Sequence, residues 1–198
     1  MKMELITALI AFAFASSITP GPNNLMLMTS GANFGFRRTI PHMLGVGIGF
    51  VILAIAVGAG LAQVFERFPV THAALKIGCT LYMLWLAWKI AHAAAPGEKD
   101  ASARPMTFLQ AAAFQWINPK AWAMALTAIT AYAAPAGGFD AVVAVALVFG
   151  AVNLPSISTW TLVGQGLRHW LNDRANLRRF NWTMAALLIA SLWPLVMS

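Results

Sequence analysis

LITALIAFAFASSITPGPNNLMLM, residues 5–28, is an apolar stretch long enough to cross a bilayer, but it is cut by Thr19-Pro20-Gly21-Pro22-Asn23-Asn24. A spanning helix needs about 20 mostly apolar residues. Pro20 and Pro22 lack an N–H and clash with the preceding turn, and Gly21 lets the chain bend, so the helix must break here. Backbone groups freed at membrane depth are tolerated only where protein or a wet cavity satisfies them. The amides of Asn23 and Asn24 suit that task and would also reach a polar ligand.

The same event recurs later, where Ile117-Asn118-Pro119-Lys120-Ala121-Trp122 interrupts an apolar run from Phe108 to Tyr132. Outward from the two breaks, spans are predicted over 4–28, 41–65, 70–92, 107–132, 139–163 and 181–197. The longest polar connector, Ala93 to Arg104, falls at the midpoint. The expected fold is all-α and integral to the membrane: a single transmembrane domain of six helices built as two three-helix repeats, 1–92 and 107–198, with the first and fourth helices broken. Residues 93–106 form a cytoplasmic linker between them. Three helices per half insert the second half upside down relative to the first, and paired Pro/Gly interruptions in such inverted repeats point to a binding site at the bilayer midplane.

Composition agrees with lipid as the solvent. Of 198 residues, 60% are hydrophobic and 10% charged, where a soluble domain carries about 25% charged residues. The net charge of +7 sits in short connectors, so it reports topology rather than nucleic-acid binding. Arg37, Arg38, Lys89, Lys99, Arg104, Arg168, Arg174, Arg178 and Arg179 share one side; Lys2, Arg67 and Lys76 fall on the other. The excess makes the first side cytoplasmic and places both termini in the periplasm. Leu5 to Ile18 behind Lys2 also fits a signal peptide, but cleavage after Ala13-Phe14-Ala15 would sever the first run from its Pro/Asn turn.

Lys120 lies 13 residues after Thr107, about 20 Å along a helix, too far for its stem to reach the interface. A charge near the bilayer centre costs at least about 2.5–3.5 kcal/mol and normally faces a cavity or a partner. All six carboxylates, Glu4, Glu66, Glu98, Asp100, Asp140 and Asp173, lie at or near span ends. An anionic ligand group would supply the missing charge, and the positive end of a half-helix starting after Pro20 or Pro22 would attract the same anion. A zwitterion's carboxylate suits such a site better than a bare metal cation. The competing structural readings are a packing kink at Pro20-Gly21-Pro22 and a Lys120 that bonds the carbonyls freed by Pro119.

Other features are weaker. Gly45 and Gly49 have the small-xxx-small spacing of a helix packing face. Gly150, Asn153 and Pro155 place a polar kink in the fifth span, where Asn153 would line the same cavity or cap the break. Trp85, Trp88, Trp170 and Trp182 fall where interfacial anchors belong, and His42, His72, His92 and His169 read as interfacial too. Cys79 is the only cysteine, which rules out an intrachain disulfide. No catalytic residue, metal site or cofactor is expected. The expected substrate-binding residues are Pro20, Gly21, Pro22, Asn23, Asn24, Asn118, Pro119, Lys120 and Asn153.

Thr19-Pro20-Gly21-Pro22-Asn23, Gly35-Phe36-Arg37-Arg38, the Gly45/Gly47/Gly49 helix, Asn118-Pro119-Lys120-Ala121 and Gly164-Gln165-Gly166 occur in an order and spacing that resemble the LysE/RhtB family of amino-acid exporters. The resemblance covers nearly the whole chain. It implies export of amino acids or close derivatives across a bacterial inner membrane by alternating access, driven by an ion gradient with the proton as coupling ion and without a prosthetic group. The short chain and the Gln115-Trp116 context look closest to the branch exporting cysteine and its acetylated serine precursor. The spans carry no clear carboxylate to move a proton. A drug or metal-ion exporter on the same fold and a non-transporting membrane scaffold are the rival readings. Six helices make a thin wall, with which a homodimer is compatible.

Overall fold

The computed structural model describes residues 3–61, 69–92 and 104–190, and every regular element among them is helical. We label the helices α1 (Met3–Ile18), α2 (Pro22–Phe34), α3 (Phe36–Ala56), α4 (Pro69–Ala91), α5 (Phe108–Phe114), α6 (Pro119–Ala128), α7 (Gly138–Gly166) and α8 (Arg174–Ala190). π-helical turns over Val57–Leu61 and Ile129–Ala133 extend α3 and α6, and a 3-10 turn over Gln115–Ile117 joins α5 to the second break. Lys2, Arg67, residues 93–103 of the expected linker and residues 191–197 of the expected sixth span lie outside the described residues. So do the side chains of His72, Lys76 and Cys79.

Both breaks fall where the prolines place them. α1 and α2 meet at 57°, and α5 gives way to α6 at Asn118, whose backbone is extended. Phe36–Leu61 and Gly138–Gly166 are each long and apolar enough to cross a bilayer, and α1 with α2 makes a third if the bent pair is one span. The count holds for the described residues. α5 and α6 are short because Pro119 divides them, while α4 and α8 border on or include positions outside the described residues, to which the comparison of length and hydropathy is confined.

Two expectations need correction. The sixth helix starts at Arg174 rather than near 181, because Asp173 caps it, its Oδ1 accepting from Asn176 N at 2.9 Å; hydropathy marks where a helix meets lipid, not where its hydrogen bonds begin. α7 runs through Pro155 without interruption. Around this proline the hydroxyls of Ser156 and Ser158 donate to the carbonyls of Val152 and Leu154 at 2.8 and 2.7 Å, so Asn153 sits within an intact helix and caps no break.

α7 is the central strut. It packs along α1, α2 and α3, while α3 also packs on α5, and α4 pairs with α8. Gly45 and Gly49 perform the expected packing role: a Cβ at Gly49 would lie 2.6 Å from Ala112 Cα, and one at Gly45 2.7 Å from Ala111 Cβ. Phe50 and Phe149, ring centroids 4.6 Å apart, join α3 to α7 in a core shared with Leu9 and Trp122. Motifs far apart in sequence meet where Phe36 N donates to Gln165 Oε1 at 2.6 Å. Large apolar side chains such as Ile48, Ile52, Leu81, Leu109 and Leu147 remain exposed, an outward surface suited to acyl chains rather than water.

Candidate functional site

α1 ends without its own donors. Pro20 and Pro22 cannot return hydrogen bonds to the turn before them, and three elements supply the replacements. Asn24 Nδ2 donates to Ser17 O and Thr19 O, both at 2.8 Å, from α2. Trp160 Nε1 donates to Ile18 O at 3.2 Å from α7. Lys120 Nζ donates to Thr19 O at 2.5 Å from α6. The Gly21 backbone is extended, with φ −173°, which any residue adopts; its use is space, since a Cβ there would stand 2.6 Å from Lys120 Cδ.

α2 then starts with Pro22 in its first turn and no side-chain cap. The N–H groups of Asn23 and Asn24 therefore sit at a helix N-terminus, where no intrahelical acceptor exists. The second break is finished differently. Asn118 caps α6, its Oδ1 accepting from Lys120 N at 3.2 Å while its carbonyl accepts from Ala121 N and Trp122 N at 3.0 and 3.2 Å. Trp122 Nε1 closes the other side by donating to Trp116 O at 2.9 Å.

Between the breaks lies a cavity of about 20 Å³, room for about one water. Ser16, Ser17, Gly21, Asn23 and Asn24 line it from the first break, Asn118, Lys120, Ala121 and Met124 from the second, and Phe50, Asn153 and Ile157 from α3 and α7. No lining residue is a carboxylate. Residues from the first turns of α2 and α6, Lys120 among them, thus line a single polar space, and a helix N-terminus and an ammonium group each contribute positive potential. The buried Ser17 Oγ has no hydrogen-bond partner.

Six of the nine residues expected from sequence, Gly21, Asn23, Asn24, Asn118, Lys120 and Asn153, meet at this cavity. Pro20, Pro22 and Pro119 shape the breaks without lining it. Sequence reasoning overlooked Ser16 and Ser17, although Ser17 stands one turn before Gly21, and Trp160, whose role shows only in three dimensions. It also took Gln115 as mere context. Gln115 is fully buried and forms a reciprocal amide pair with Asn23, donating to Asn23 Oδ1 at 3.2 Å and accepting from Asn23 Nδ2 at 2.8 Å.

A wider cavity of 840 Å³ opens between α2, α3, α4 and α5, with Lys89 and Arg104 in its wall. His42 belongs to this wall and is 1% exposed, which corrects its expected interfacial position: it faces neighbouring helices because it lies on the same side of α3 as Thr39, Met43 and Val46. His92 by contrast stays exposed beside Trp88, their rings 4.9 Å apart.

Apolar helices whose two breaks enclose a cationic, polar space have the build of a membrane translocator and not of an enzyme. The chain belongs to the LysE type translocator family, whose sequence pattern matches residues 14–192. It is 30% identical to a cysteine/O-acetylserine efflux protein of Klebsiella pneumoniae subsp. pneumoniae, over 96% of this chain and 95% of that protein. Proteins of the same name from Salmonella typhimurium and Escherichia coli strain K12 are 27% and 26% identical, each over 96% of both chains. No solved structure matches the chain.

Proposed function

We propose that this chain is a secondary transporter of the bacterial inner membrane that exports amino acids or close derivatives, of the cysteine and O-acetylserine kind named for its relatives. The observation that carries the reading is the convergence of Lys120 and the uncapped start of α2 on one cavity without a carboxylate. The substrate carboxylate is the anion that completes it, held by the ammonium group and by N–H groups at the helix start. In the conformation described, the cavity holds about one water, so transport requires the breaks to separate. The Asn23–Gln115 amide pair and the bond from Lys120 to Thr19 O tie them together and are the contacts that must open.

The proposal includes six spans in two inverted repeats, 1–92 and 107–198, around the linker 93–106, with both termini periplasmic. It is supported by element order, since each half runs broken helix, long helix, third helix. Packing supports it as well: α3 rests on the broken helix of the second half and α7 on that of the first. Rocking of one repeat against the other would expose the midplane site to each side in turn. Proton coupling and pairing of two copies belong to the same proposal.

A metal exporter is disfavoured by the donor set, because the cavity wall offers amides, hydroxyls, an amine and one thioether but no carboxylate, imidazole or thiolate. Met124, Phe50 and Ile157 leave an apolar drug as the other cargo. The bond from Lys120 to Thr19 O favours one further reading, a structural strap in a scaffold protein. Export of a preloaded panel of radiolabelled amino acids from proteoliposomes separates these. Wild type should export one or a few members down an imposed ion gradient, and Lys120→Ala at equal reconstituted amounts should lose at least about tenfold in rate, one charge-assisted hydrogen bond or more. Equal flux in both proteins would leave Lys120 a strap only.

A further inference from the structure

The wall of the 840 Å³ cavity includes residues whose buried polar groups the protein's own contacts leave unused. His42 is 1% exposed, yet neither Nδ1 nor Nε2 has a hydrogen-bond partner, and the buried Oγ1 of Thr29 has none either. Both residues line the same cavity. Their neighbourhood is not generally undersatisfied: Ser30 and Thr39, on the same two helices, share a hydroxyl hydrogen bond of 2.9 Å, and Thr39 donates onward to Gly35 O. Buried donors and acceptors are nearly always paired, so an unpaired imidazole and hydroxyl just behind the wall of one cavity mark a place that a polar guest would complete once these side chains turn toward it.

The rest of the wall defines that guest. Lys89 and Arg104 are its cations and no lining residue is a carboxylate, while Trp85 and Met106 add apolar surface. Lys89 lies over the Trp85 ring, Nζ 5.0 Å from the centroid. A neutral imidazole offers one donor and one acceptor, and a hydroxyl offers both. Such a wall fits a small zwitterion, its carboxylate toward Lys89 and Arg104 and its ammonium group donating to Thr29 and His42. α2 connects this cavity to the first break, because Met26 and Thr29 line the wide cavity while Asn23, one turn earlier, lines the narrow one.

We infer that the wide cavity is a loading site, where an amino-acid cargo from the cytoplasm is held by Thr29 and His42 before it passes the Asn23–Gln115 pair. The inference rests on the export reading above and assigns that pathway a second, earlier binding position.

Initial-rate transport of radiolabelled O-acetyl-L-serine and L-cysteine in oriented membrane vesicles tests it, with Thr29→Val and His42→Phe compared with wild type. Cargo supplied from the cytoplasmic face should show a half-saturating concentration raised at least about tenfold in each variant, the loss of one hydrogen bond to a charged group. Cargo supplied from the opposite face should show a smaller shift. No shift, or equal shifts from both faces, would overturn the loading site and leave the export reading intact. Absence of any wild-type flux would instead overturn both. Because a His42 variant can fail to fold, a Thr29→Cys variant in a Cys79→Ala background gives an independent readout. Its labelling by a cationic methanethiosulfonate should be slowed by O-acetyl-L-serine, and labelling indifferent to that cargo would contradict the site.

Discussion

The two breaks begin from similar chemistry, a proline at the start of a half-helix, and are completed in opposite ways. At the second, Asn118 supplies both a side-chain and a backbone acceptor to the first turn of α6, and Trp122 reaches back to Trp116 O. At the first, Gly21 offers no side chain, and the carbonyls at the end of α1 depend on Asn24, Trp160 and Lys120. The second break is therefore self-contained and can spare its lysine. The first accepts that lysine and leaves the start of α2 without a side-chain cap. In the proposed site the difference has a use: one break contributes the lysine's charge, and the other contributes the helix dipole that a carboxylate would meet.

If that division is real, the two asparagines at the breaks are not equivalent. Asn24→Ala removes two bonds at once. Thr19 O retains Lys120, but Ser17 O is left without the donor it has from Asn24, so stability should fall by about 1–3 kcal/mol, the range for an unpaired buried carbonyl. Thermal unfolding in detergent would show it, and an unchanged midpoint would mean that the first break has other support. Asn118→Ala should cost less, about 1 kcal/mol for a lost N-cap, because the backbone bonds from Ala121 N and Trp122 N to Asn118 O remain. A larger loss at Asn118 than at Asn24 would reverse the comparison.

The breaks were legible in the sequence because proline and glycine act locally: the missing N–H at Pro20, Pro22 and Pro119 needs no knowledge of neighbours. The charge argument for Lys120 was legible as well, since its distance from either end of an apolar run follows from counting residues. What the lysine bonds to was not. Counting residues points to a ligand anion, with the carbonyls freed by Pro119 as the structural alternative, and neither names the carbonyl that it meets in Thr19, 101 residues away. Gln115 and Trp160 escaped for the same reason, their partners lying 92 and 142 residues off in Asn23 and Ile18. Pro155 misled in the other direction, since a proline signals a break only where the helix around it cannot be held. The start of α8 depended on Asp173, a capping residue that carries no hydropathy signal.

Whether the two breaks form one carboxylate site is tested most directly by asking if the carboxylate is required. Inhibition of O-acetyl-L-serine transport by unlabelled cargo and by its carboxamide, compared in wild type and Lys120→Ala, isolates that one group. Wild type should prefer the acid by at least about tenfold, since a charge-assisted hydrogen bond contributes roughly 1.5–3 kcal/mol, and the preference should collapse in Lys120→Ala. A wild type that binds acid and amide equally, or a variant that still discriminates between them, would contradict a site built from Lys120 and the start of α2.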